Sequence, residues 1–362
     1  MINDKVTGVD ARMIEMSGIG TYIQHLMGHG LYDYALGSEA VIRKYDRNVR
    51  VIPYDAPIYS PGEQLLFPNG AVKKANISLL HFPHYNVPFS YRGRYVVTVH
   101  DLTHIVLPET LGSRAKYHYA KFLMHQALGR AEHIFTDSEN SRSDIRKYFN
   151  TDETKISIAY AAADEDFRRK EKAETVYLCK KYGIPGDKKK ILYVGNLKPH
   201  KNLVTLLRAV KRLGREDLIL ILVGKSFRSE NLEEQERKLK IDRQVIHTGT
   251  VSKEELIDLY NLADLFVFPS LYEGFGIPPL EAMACGTPVI AADNSSIPEV
   301  VGNAAVLFDG KNPNELARQI SRTLKDEALR AELIQKGFIR SRQFDWKQTR
   351  SGILEVLDGL TR

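Results

Sequence analysis

The sequence predicts an α/β fold with two parallel β-sheets. Short β-rich runs alternate with segments of helical periodicity, and this alternation starts again after about residue 185. A polar segment separates the two series. The chain has 362 residues, enough for two domains of roughly 150 residues with a core in each. We therefore expect two Rossmann-like halves.

The first half is predicted from five β-rich runs and one clear amphipathic helix. The first run, KVTGVDA, precedes GTYIQHLMGHG, in which Tyr22, Ile23, Leu26 and Met27 have helical spacing. The later strands are predicted at ISLLHFP, YVVTVHD, HIFTDS and KISIAYA. This order of strands and helices is typical of a parallel sheet.

The second half shows the same pattern, with the helix LVTLLRAVKRL after its first strand. Its strands are predicted at KKILYVGN, LILILVG, QVIHTGT, LFVFPS, PVIAAD and AVLFD. Between the halves, the polar segment DEDFRRKEKAETVYLCKKYGIPGDKKK, with its start near Phe167, is predicted to be the linker. The expected domains are residues 1–167 and 168–341.

The composition excludes several classes of protein. Hydrophobic residues make up 43% and charged residues 27% of the chain, as in ordinary globular proteins. No apolar run reaches the roughly 18 residues of a membrane span, and the first residues lack the apolar core of a signal peptide, so we expect a cytoplasmic protein. Cys179 and Cys285 lie far apart, which argues against disulfides and cysteine metal sites. The net charge of +6 fits anionic ligands or an anionic membrane, but is common in proteins that bind neither; no nucleic-acid partner is expected.

Two loops that follow predicted strands are candidate phosphate sites, because parallel sheets bind ligands beyond the carboxyl ends of their strands. In ARMIEMSGIGTY, Gly18 and Gly20 allow a close approach of the backbone, although a tight turn without a ligand is the alternative. A nicotinamide-cofactor fingerprint requires a glycine where Ile23 stands, so that interpretation fails. In VGNLKPHKNL, Lys201 can meet a diphosphate at a helix start. The alternative is that Lys201 is solvated and Asn202 is only an N-cap.

A third loop, LYEGFGIPP, lies between a buried strand and a helix that Pro279 is predicted to start. Glu281 is then expected in the first helical turn, where stabilisation of the helix dipole is the alternative to a binding role. That alternative leaves Glu273 and the glycines unexplained. Two carboxylates can instead bind the diols of a ribose and a sugar, with hydroxyl or phosphate oxygens bound by the N–H groups of Gly274, Phe275 and Gly276.

These motifs resemble those of the retaining glycosyltransferases of family four, also called glycosyl transferases group 1. EGFGIPPLE is similar to the E-x7-E element of that family. Its other blocks are matched in order by VDARMIEMSGIGTY, HFPHYNVP, VVTVHDL, VGNLKPHKN and LADLFVFPS. The resemblance implies a GT-B architecture, with two Rossmann-like domains facing across a cleft, the first binding the acceptor and the second the nucleotide-sugar donor. It also implies that residues 342–362 include a helix that packs on the first domain.

The resemblance also implies roles for individual residues. Glu281 would bind the donor ribose, and Lys201 would neutralise the diphosphate. Glu273 would bind the donor sugar together with the amides of Gly274, Phe275 and Gly276.

Four further contacts are implied in the same way. Gly18 and Gly20 would present amides to the phosphates or sugar, the backbone at Val251 would meet the base, and His100 would lie beside the donor sugar. Asn196 stands where many members of the family carry an arginine, which leaves more of the phosphate charge to Lys201. His100, Glu273 and Lys201 are the predicted catalytic residues.

The implied activity is transfer of a hexose of the glucose or mannose type from a nucleoside-diphosphate sugar. The acceptor would be a saccharide or a lipid-linked saccharide, in the synthesis of cell-surface polysaccharide or glycoconjugate. The nucleotide sugar is a substrate, so no cofactor is expected, and no metal is expected because no Asp-x-Asp ends a predicted strand. A nucleotide-sugar epimerase of the same fold and a non-catalytic nucleotide-sugar-binding protein are the alternatives.

Residues 112–130 are predicted to form a helix that mixes cations with aromatic side chains. Arg114, Lys116 and Lys121 suit the headgroup region of an anionic membrane, which predicts a peripheral association with its inner face. The alternative is a surface helix that packs Phe122 and Leu123 into the core of the first domain.

Overall fold

The computed structural model describes residues 5–225 and 230–362, which form two compact units. The first unit contains the chain up to Ala161 together with Trp346–Arg362, and the second contains Ala162–Asp345. Each unit has one parallel β-sheet with helices packed around it. The predicted α/β class is therefore confirmed.

The sheet of the first unit has seven strands, and every neighbouring pair is parallel. Its strands are β1 (Thr7–Asp10), β2 (Tyr34–Gly37), β3 (Arg50–Pro53), β4 (Leu79–Phe82), β5 (Tyr95–Val99), β6 (His133–Thr136) and β7 (Ile156–Ile158). Their spatial order is β3-β2-β1-β4-β5-β6-β7. The order of connection reverses between β1 and β4, which makes this the switch point of the sheet.

Among the described residues before Ala161, seven α-helices belong to this unit. They are α1 (Ser17–Leu26), α2 (Glu39–Ile42), α3 (Pro61–Leu65), α4 (Asn69–Lys74), α5 (Thr103–Val106), α6 (Arg114–Arg130) and α7 (Glu139–Phe149). Residues of the central strands β4 and β5 are all buried, as expected for a sheet covered on both faces.

Strands β2 and β3 were not among the predicted elements. Their sequences are YALG and RVIP, four residues each. β3 is the edge strand, with exposed residues at both ends and Pro53 as its last residue. Proline is tolerated at a sheet edge because its missing N–H is not needed there.

The sheet of the second unit has six parallel strands in the spatial order β10-β9-β8-β11-β12-β13. They are β8 (Lys189–Val194), β9 (Leu218–Val223), β10 (Val245–Gly249), β11 (Leu265–Phe268), β12 (Val289–Ala292) and β13 (Ala305–Phe308). All six were predicted from their apolar runs. The switch point of this sheet lies between β8 and β11.

The helices of the second unit number nine among the residues described. They are α8 (Lys172–Thr175), α9 (Tyr177–Tyr182), α10 (Leu203–Leu213), α11 (Glu230–Leu239), α12 (Lys253–Leu262), α13 (Ile277–Ala284), α14 (Ile297–Val301), α15 (Pro313–Lys325) and α16 (Glu327–Ser341). Helix α10 has the bounds of the predicted segment LVTLLRAVKRL.

The segment predicted as a linker is folded against the second unit. It forms α8 and α9, and Leu178 of α9 is fully buried. The Lys170 ammonium lies 2.5 Å from a carboxylate oxygen of Asp258 on α12, and the ring of Phe167 packs on that of Tyr260 at 5.9 Å. A polar composition does not show these contacts, so the prediction of a linker along the whole segment is wrong.

The last helix, α17 (Trp346–Leu360), belongs to the first unit. The indole of Trp346 stacks on the ring of His25 at 4.4 Å, and Arg350 donates a hydrogen bond to the His25 carbonyl. Thr349 donates from its hydroxyl to the carbonyl of Tyr160, 2.6 Å away. These contacts attach α17 to α1 and to the segment after β7.

Among the helices that the structure describes, none is long and apolar enough to cross a membrane. One face of α6 lies in the core of the first unit, where Leu123 and Met124 are buried. Phe122 on the same helix is 51% exposed. The core-packing alternative for this helix is therefore confirmed for Leu123 and wrong for Phe122.

Candidate functional site

Two predicted residues of the second unit meet at the switch point of its sheet. Lys201 ends a short 3₁₀ turn, Pro199–Lys201, in the loop after β8, and Glu273 lies in the loop after β11. The Lys201 Nζ lies 2.7 Å from Oε1 and 2.8 Å from Oε2 of Glu273. Lys201 and Glu273 are 72 residues apart in sequence, but β8 and β11 are neighbours in the sheet, so the loops after these strands bring the two side chains together.

This ion pair is partly removed from water. The Lys201 side chain is 20% exposed and that of Glu273 is 12% exposed. The ammonium also lies 5.9 Å from the centre of the Phe268 ring, within the range of a cation–π contact. A partly buried charge depends strongly on its partner, so a ligand that replaces either partner has to supply an equivalent charge or hydrogen bond.

Asn202 fixes the loop that carries Lys201. Its backbone is left-handed, with φ of 55°, and its side chain does not cap α10. Instead, the Asn202 Nδ2 donates to the carbonyls of Pro269 and Gly310 at 2.9 and 2.7 Å. The alternative in which Asn202 is only an N-cap is therefore wrong, because its side chain joins the β8 loop to the loop after β11.

Asn196, two residues after β8, has a buried amide oxygen. Within the described ranges, Oδ1 of Asn196 has no hydrogen-bonding partner. Its backbone carbonyl accepts hydrogen bonds from Lys198 N–H at 3.0 Å and from the Tyr193 hydroxyl at 3.5 Å. A buried polar atom without a partner is costly, so this position is suited to a ligand group that donates a hydrogen bond.

Two serines form hydrogen bonds with the backbone of the loop that carries Glu273. The Glu273 N–H donates to Ser295 Oγ at 2.9 Å. Ser296 Oγ donates to the carbonyls of Glu273 and Phe275 at 2.9 and 3.0 Å. The Phe275 ring is buried against Phe344. The loop is thus preorganised by its surroundings, as a binding loop requires.

Helix α13 starts earlier than predicted. Its first residue is Ile277 and Pro278 follows, so Pro279 is the third residue and Glu281 the fifth. Glu281 therefore lies beyond the first turn, and the prediction that placed it there is wrong. Gly276 precedes the helix with φ of 100°, a conformation that favours glycine, so it supplies the sharp turn that sets this start. Stabilisation of the helix dipole no longer explains Glu281.

Glu281 instead faces a buried tyrosine. The Tyr260 hydroxyl donates to Oε2 of Glu281 at 2.7 Å. Burial raises the pKa of Glu281 to about 7, although the hydrogen bond from Tyr260 and the charge of Lys253 lower it. Lys253 lies two residues after Val251, which follows β10 and is half-buried. The residues predicted to meet the ribose and the base thus lie in one region of the second unit.

Gly18 and Gly20 in the first unit have different environments. Gly20 lies inside α1, and its N–H donates to the carbonyl of Met16 at 2.7 Å. The prediction that Gly20 presents its amide to a ligand is therefore wrong, because the helix already uses that N–H. Gly18 is exposed and is the second residue of the helix, where N–H groups have no intrahelical acceptor.

Substitution of these two glycines is expected to change stability at Gly20 but not at Gly18. A Cβ at Gly20 would lie 2.6 Å from the Ile14 carbonyl oxygen, whereas a Cβ at Gly18 meets nothing within 4 Å. Gly20→Ala should lower the free energy of unfolding by about 1–3 kcal/mol, the range for overpacking. Gly18→Ala, the matched control, should change it by less than about 0.5 kcal/mol. Urea unfolding of both variants is the measurement, and equal stability would contradict the close approach.

His100 follows β5 and is held at both ring nitrogens. Its Nδ1 lies 2.8 Å from Asp137 Oδ2, and its Nε2 lies 3.0 Å from the carbonyl oxygen of Pro83. Burial lowers the pKa of His100, but the charge and hydrogen bond of Asp137 outweigh it, and the pKa is raised above its usual value. The arrangement favours an imidazolium that donates from both nitrogens. Asp137 was not among the predicted site residues, although its position directly after the strand HIFT indicates the ligand-binding end of a parallel sheet.

The residues of a buried ion cluster in the first unit were also not among the predicted site residues. Arg12 donates from Nε and Nη2 to Asp10 at 2.9 and 2.6 Å, and Nη2 lies 3.0 Å from Glu63 Oε1. Arg12 also lies over the Tyr54 ring at 4.1 Å. Asp10 lies near the end of the first predicted strand, KVTGVDA, and Arg12 directly follows that strand, which was a signal. The contribution of Glu63, 51 positions away, had none.

Among the residues described, no group of three or more histidine, cysteine, aspartate or glutamate side chains is placed to hold a metal ion. The charged groups that the structure brings together at the switch point of the second sheet are instead the Lys201 ammonium and the Glu273 carboxylate.

The two sheets and the loops at their switch points define a GT-B fold of the glycosyltransferase class. Similar architecture is seen in the solved structure of HepE from Anabaena in complex with UDP-glucose, with a TM-score of 0.79 and 20% identity over 98% of this chain and 99% of that one. Residues 178–340 match the family model for glycosyl transferases group 1. The chain belongs to this family.

Two relatives from Escherichia coli carry names that describe an activity. The O-antigen chain mannosyltransferase B is 32% identical over 273 residues, which cover 74% of this chain and 71% of that protein. The serotype-specific mannosyltransferase WbdA is 31% identical over 288 residues, which cover 76% of this chain and 34% of WbdA. The alignment thus spans about a third of WbdA.

Proposed function

We propose that this glycosyltransferase moves mannose from a nucleoside-diphosphate mannose to a saccharide or lipid-linked saccharide acceptor during synthesis of a cell-surface polysaccharide. The observation that carries the proposal is the Lys201–Glu273 pair at the switch point of the second sheet. Of the glucose-type and mannose-type donors that the motifs allow, mannose is favoured by the names of the two relatives.

The chemistry requires fixed positive charge at the donor phosphates. When the sugar–phosphate bond breaks, negative charge grows on the departing diphosphate, and a donor group held in place beforehand stabilises it. In the proposal, Lys201 binds the diphosphate and Glu273 accepts hydrogen bonds from the sugar hydroxyls, so each exchanges its present partner for the substrate. Glu281 accepts hydrogen bonds from the ribose hydroxyls.

We further propose that the anomeric configuration is retained. The acceptor oxygen bonds to the anomeric carbon on the face that the diphosphate leaves, and the acceptor proton passes to the departing phosphate oxygen. His100, held as an imidazolium by Asp137, is the predicted neighbour of the donor sugar. This step needs no cofactor and no nucleophilic side chain.

Product analysis tests the activity directly. Purified protein is incubated with GDP-mannose or UDP-glucose and a mannose-terminated acceptor, and the product is followed by mass spectrometry and proton NMR. Transfer from GDP-mannose with the donor's anomeric configuration is expected. An inverted anomer contradicts the mechanism, and preferred transfer from UDP-glucose contradicts the proposed sugar. An epimer formed without acceptor indicates the epimerase, and donor binding without any reaction indicates the non-catalytic protein.

Nucleotide binding is expected to be independent of metal. Lys201 supplies a charge that a divalent ion otherwise provides at a diphosphate, so GDP should raise the melting temperature equally in magnesium and in a chelator. Free ligand at 100 times Kd stabilises a protein by about 2.7 kcal/mol, which a thermal-shift assay resolves easily. Loss of the shift in the chelator, restored by magnesium, would contradict this prediction.

We also propose that the first unit associates with an anionic membrane through α6 and α3. Arg114, Lys116 and Lys121 of α6 are exposed, and α6 contains no acidic residue. The ring of Phe122 contacts that of Phe89 at 5.6 Å, and the Phe89 N–H donates to Gln64 of α3.

The end of α3 adds apolar surface to this face. Leu65 and Leu66 are 78% and 69% exposed and directly follow Gln64. Exposed apolar side chains beside a set of cations suit the headgroup region of an anionic bilayer. We call this surface the α6–α3 face; it consists of Arg114, Lys116, Lys121, Phe122, Leu65 and Leu66.

Liposome flotation tests the α6–α3 face. A variant with alanine at Arg114, Lys116 and Lys121 should lose most binding to vesicles with anionic lipid at low salt, because each cation near such a surface contributes about 1 kcal/mol. A matched variant with alanine at Arg142, Arg146 and Lys147 of α7 loses the same charge elsewhere and should still float. Equal flotation of the α6 variant and the wild type would rule this face out.

A further inference from the structure

The side-chain amide of Asn196 lies at the switch point of the second sheet, two residues after β8 and in the loop that also carries Lys201. Over residues 5–225 and 230–362, its buried Oδ1 accepts no hydrogen bond. The residue as a whole is half-buried, so part of it faces the solvent. A buried carbonyl oxygen left unpaired costs free energy, and a ligand that donates a hydrogen bond to it removes that cost.

The backbone of Asn196 is held close to the buried Tyr193 on β8. The Tyr193 hydroxyl donates to the Asn196 carbonyl, and the N–H of Lys198 donates to the same carbonyl at 3.0 Å. A Cβ at Gly195 would lie 3.0 Å from the Tyr193 hydroxyl oxygen, so glycine permits this close approach of the loop to the ring. The position of Asn196 is therefore set by a buried strand residue.

Tyr193 also places Asn196 beside the Lys201–Glu273 pair. The pKa of Tyr193 is raised by burial and by the charge of Glu273, an effect that requires Glu273 to lie near this hydroxyl. The side chains that act on the pKa of Glu281 are different ones, namely Tyr260, Asp164 and Lys253. Asn196 thus belongs with the groups assigned to the hexose and the diphosphate, and not with the group assigned to the ribose.

A hexose hydroxyl fits the open atom of Asn196, whereas the diphosphate does not. In a nucleoside-diphosphate sugar both phosphates are esterified and ionised at neutral pH, so their oxygens accept hydrogen bonds and donate none. The Oδ1 atom of an amide is itself an acceptor, and two acceptors repel each other. Each hydroxyl group of the hexose carries a proton that it can donate. The amide also has no charge with which to neutralise the phosphates, and Lys201 has one.

We infer that Asn196 determines specificity for the transferred hexose, because its Oδ1 accepts a hydrogen bond from one hydroxyl group of the donor sugar. This assignment rests on the proposed function, since it concerns the donor of that reaction. The sugar contact replaces the phosphate contact that the resemblance implies for this position. With Glu273 and Asn196 as two acceptors, the site can reject a sugar that lacks the matching hydroxyl, because one of the acceptors is then left unpaired.

Isothermal calorimetry without acceptor tests the sugar contact, because GDP and GDP-mannose differ by the hexose. Asn196→Ala should weaken GDP-mannose binding about tenfold and leave GDP affinity within about twofold of the wild type, since one hydrogen bond to the sugar is lost. Lys198→Ala is the matched control, because it changes an exposed residue of the same loop. The control should bind both ligands like the wild type.

Analogues of GDP-mannose that lack one hydroxyl group identify the partner of Asn196. The 2-, 3-, 4- and 6-deoxy analogues are measured with the wild type and with Asn196→Ala. We expect one analogue to bind the wild type about tenfold more weakly than GDP-mannose does, and to bind the variant as well as GDP-mannose does, because both changes remove the same hydrogen bond.

Three results would overturn the inference. Equal weakening of GDP and GDP-mannose in Asn196→Ala would assign the amide to the diphosphate. Wild-type affinity of the variant for GDP-mannose would show that no contact is lost. Deoxy effects of the same size in the variant and the wild type would mean that Asn196 meets none of these hydroxyl groups. If the alanine variant does not fold, Asn196→Leu, of similar volume and without a polar atom, takes its place.

Failure of the proposed function gives a different result. If the wild type binds UDP-glucose in preference to GDP-mannose, the proposed sugar is wrong, and the same comparison is made with UDP and UDP-glucose. A loss in Asn196→Ala that is confined to UDP-glucose then supports the sugar contact of Asn196, and an equal loss for UDP overturns it.

Discussion

Lys201→Ala is expected to lower kcat/KM for the donor by about 10²–10³-fold. In the proposed reaction this ammonium faces the charge that develops on the diphosphate, and removal of one fixed donor to such a charge typically has an effect of this size. The loss should appear mainly in kcat, since the interaction strengthens as the bond breaks. Steady-state kinetics with GDP-mannose is the measurement.

Two controls make this experiment specific. Lys198→Ala removes an exposed lysine from the same loop and should stay within about twofold of the wild type. Lys201→Ala also removes the cation that lies 2.7 Å from the Glu273 carboxylate. A loss of activity therefore combines two effects, the missing contact with the diphosphate and the unpaired Glu273. A double-mutant cycle with Glu273→Gln separates these two effects. Pairing of the two residues in the ligand-free protein gives a coupling free energy for unfolding as well as one for kcat/KM. Normal kcat in Lys201→Ala would refute the diphosphate assignment.

Glu281→Ala is expected to weaken GDP binding by about 1–3 kcal/mol, the cost of a lost hydrogen bond to a charged group. The wild-type affinity should also depend on pH. The carboxyl group accepts hydrogen bonds from both ribose hydroxyls only when ionised, and its pKa is about 7. GDP affinity should therefore rise as pH increases from 6 to 8. Isothermal calorimetry at several pH values measures this, and Glu281→Gln should show no such rise.

The opposite dependence is expected for stability without ligand. The folded-state pKa of Glu281 is raised from the usual 4.5 to about 7, so the folded state binds this proton more tightly than the unfolded state. The contribution of Glu281 to stability is full below pH 4.5 and is lost as pH rises through about 7. Melting curves of wild type and Glu281→Gln should diverge across this window.

Tyr260→Phe sharpens the test. Its hydroxyl donates to Glu281 and lowers the pKa of that carboxyl, so its removal should move the midpoint of the GDP pH profile to higher pH. A midpoint that stays in place, or a GDP affinity without pH dependence in the wild type, would contradict the assignment of this titration to Glu281.

Local patterns in the sequence determined most of the architecture. The six strands of the second sheet and the bounds of α10 follow from apolar periods that a short window contains. The loops that carry Lys201 and Glu273 were found in the same way, because a site in a parallel sheet lies at the ends of its strands. The order of several such motifs then indicated the glycosyltransferase family.

The tertiary structure alone decided which groups meet. Glu281 and Tyr260, 21 residues apart, and Arg12 and Glu63, 51 residues apart, contact each other only because strands and helices bring them together. The outcomes for Gly20 and Glu281 depend instead on where α1 and α13 begin, and a periodic pattern does not locate a helix start to the residue. Periodicity reports which face of an element is apolar, but hydrogen bonding, desolvation and pKa depend on atoms distant in sequence, so the chain specifies them only once it has folded.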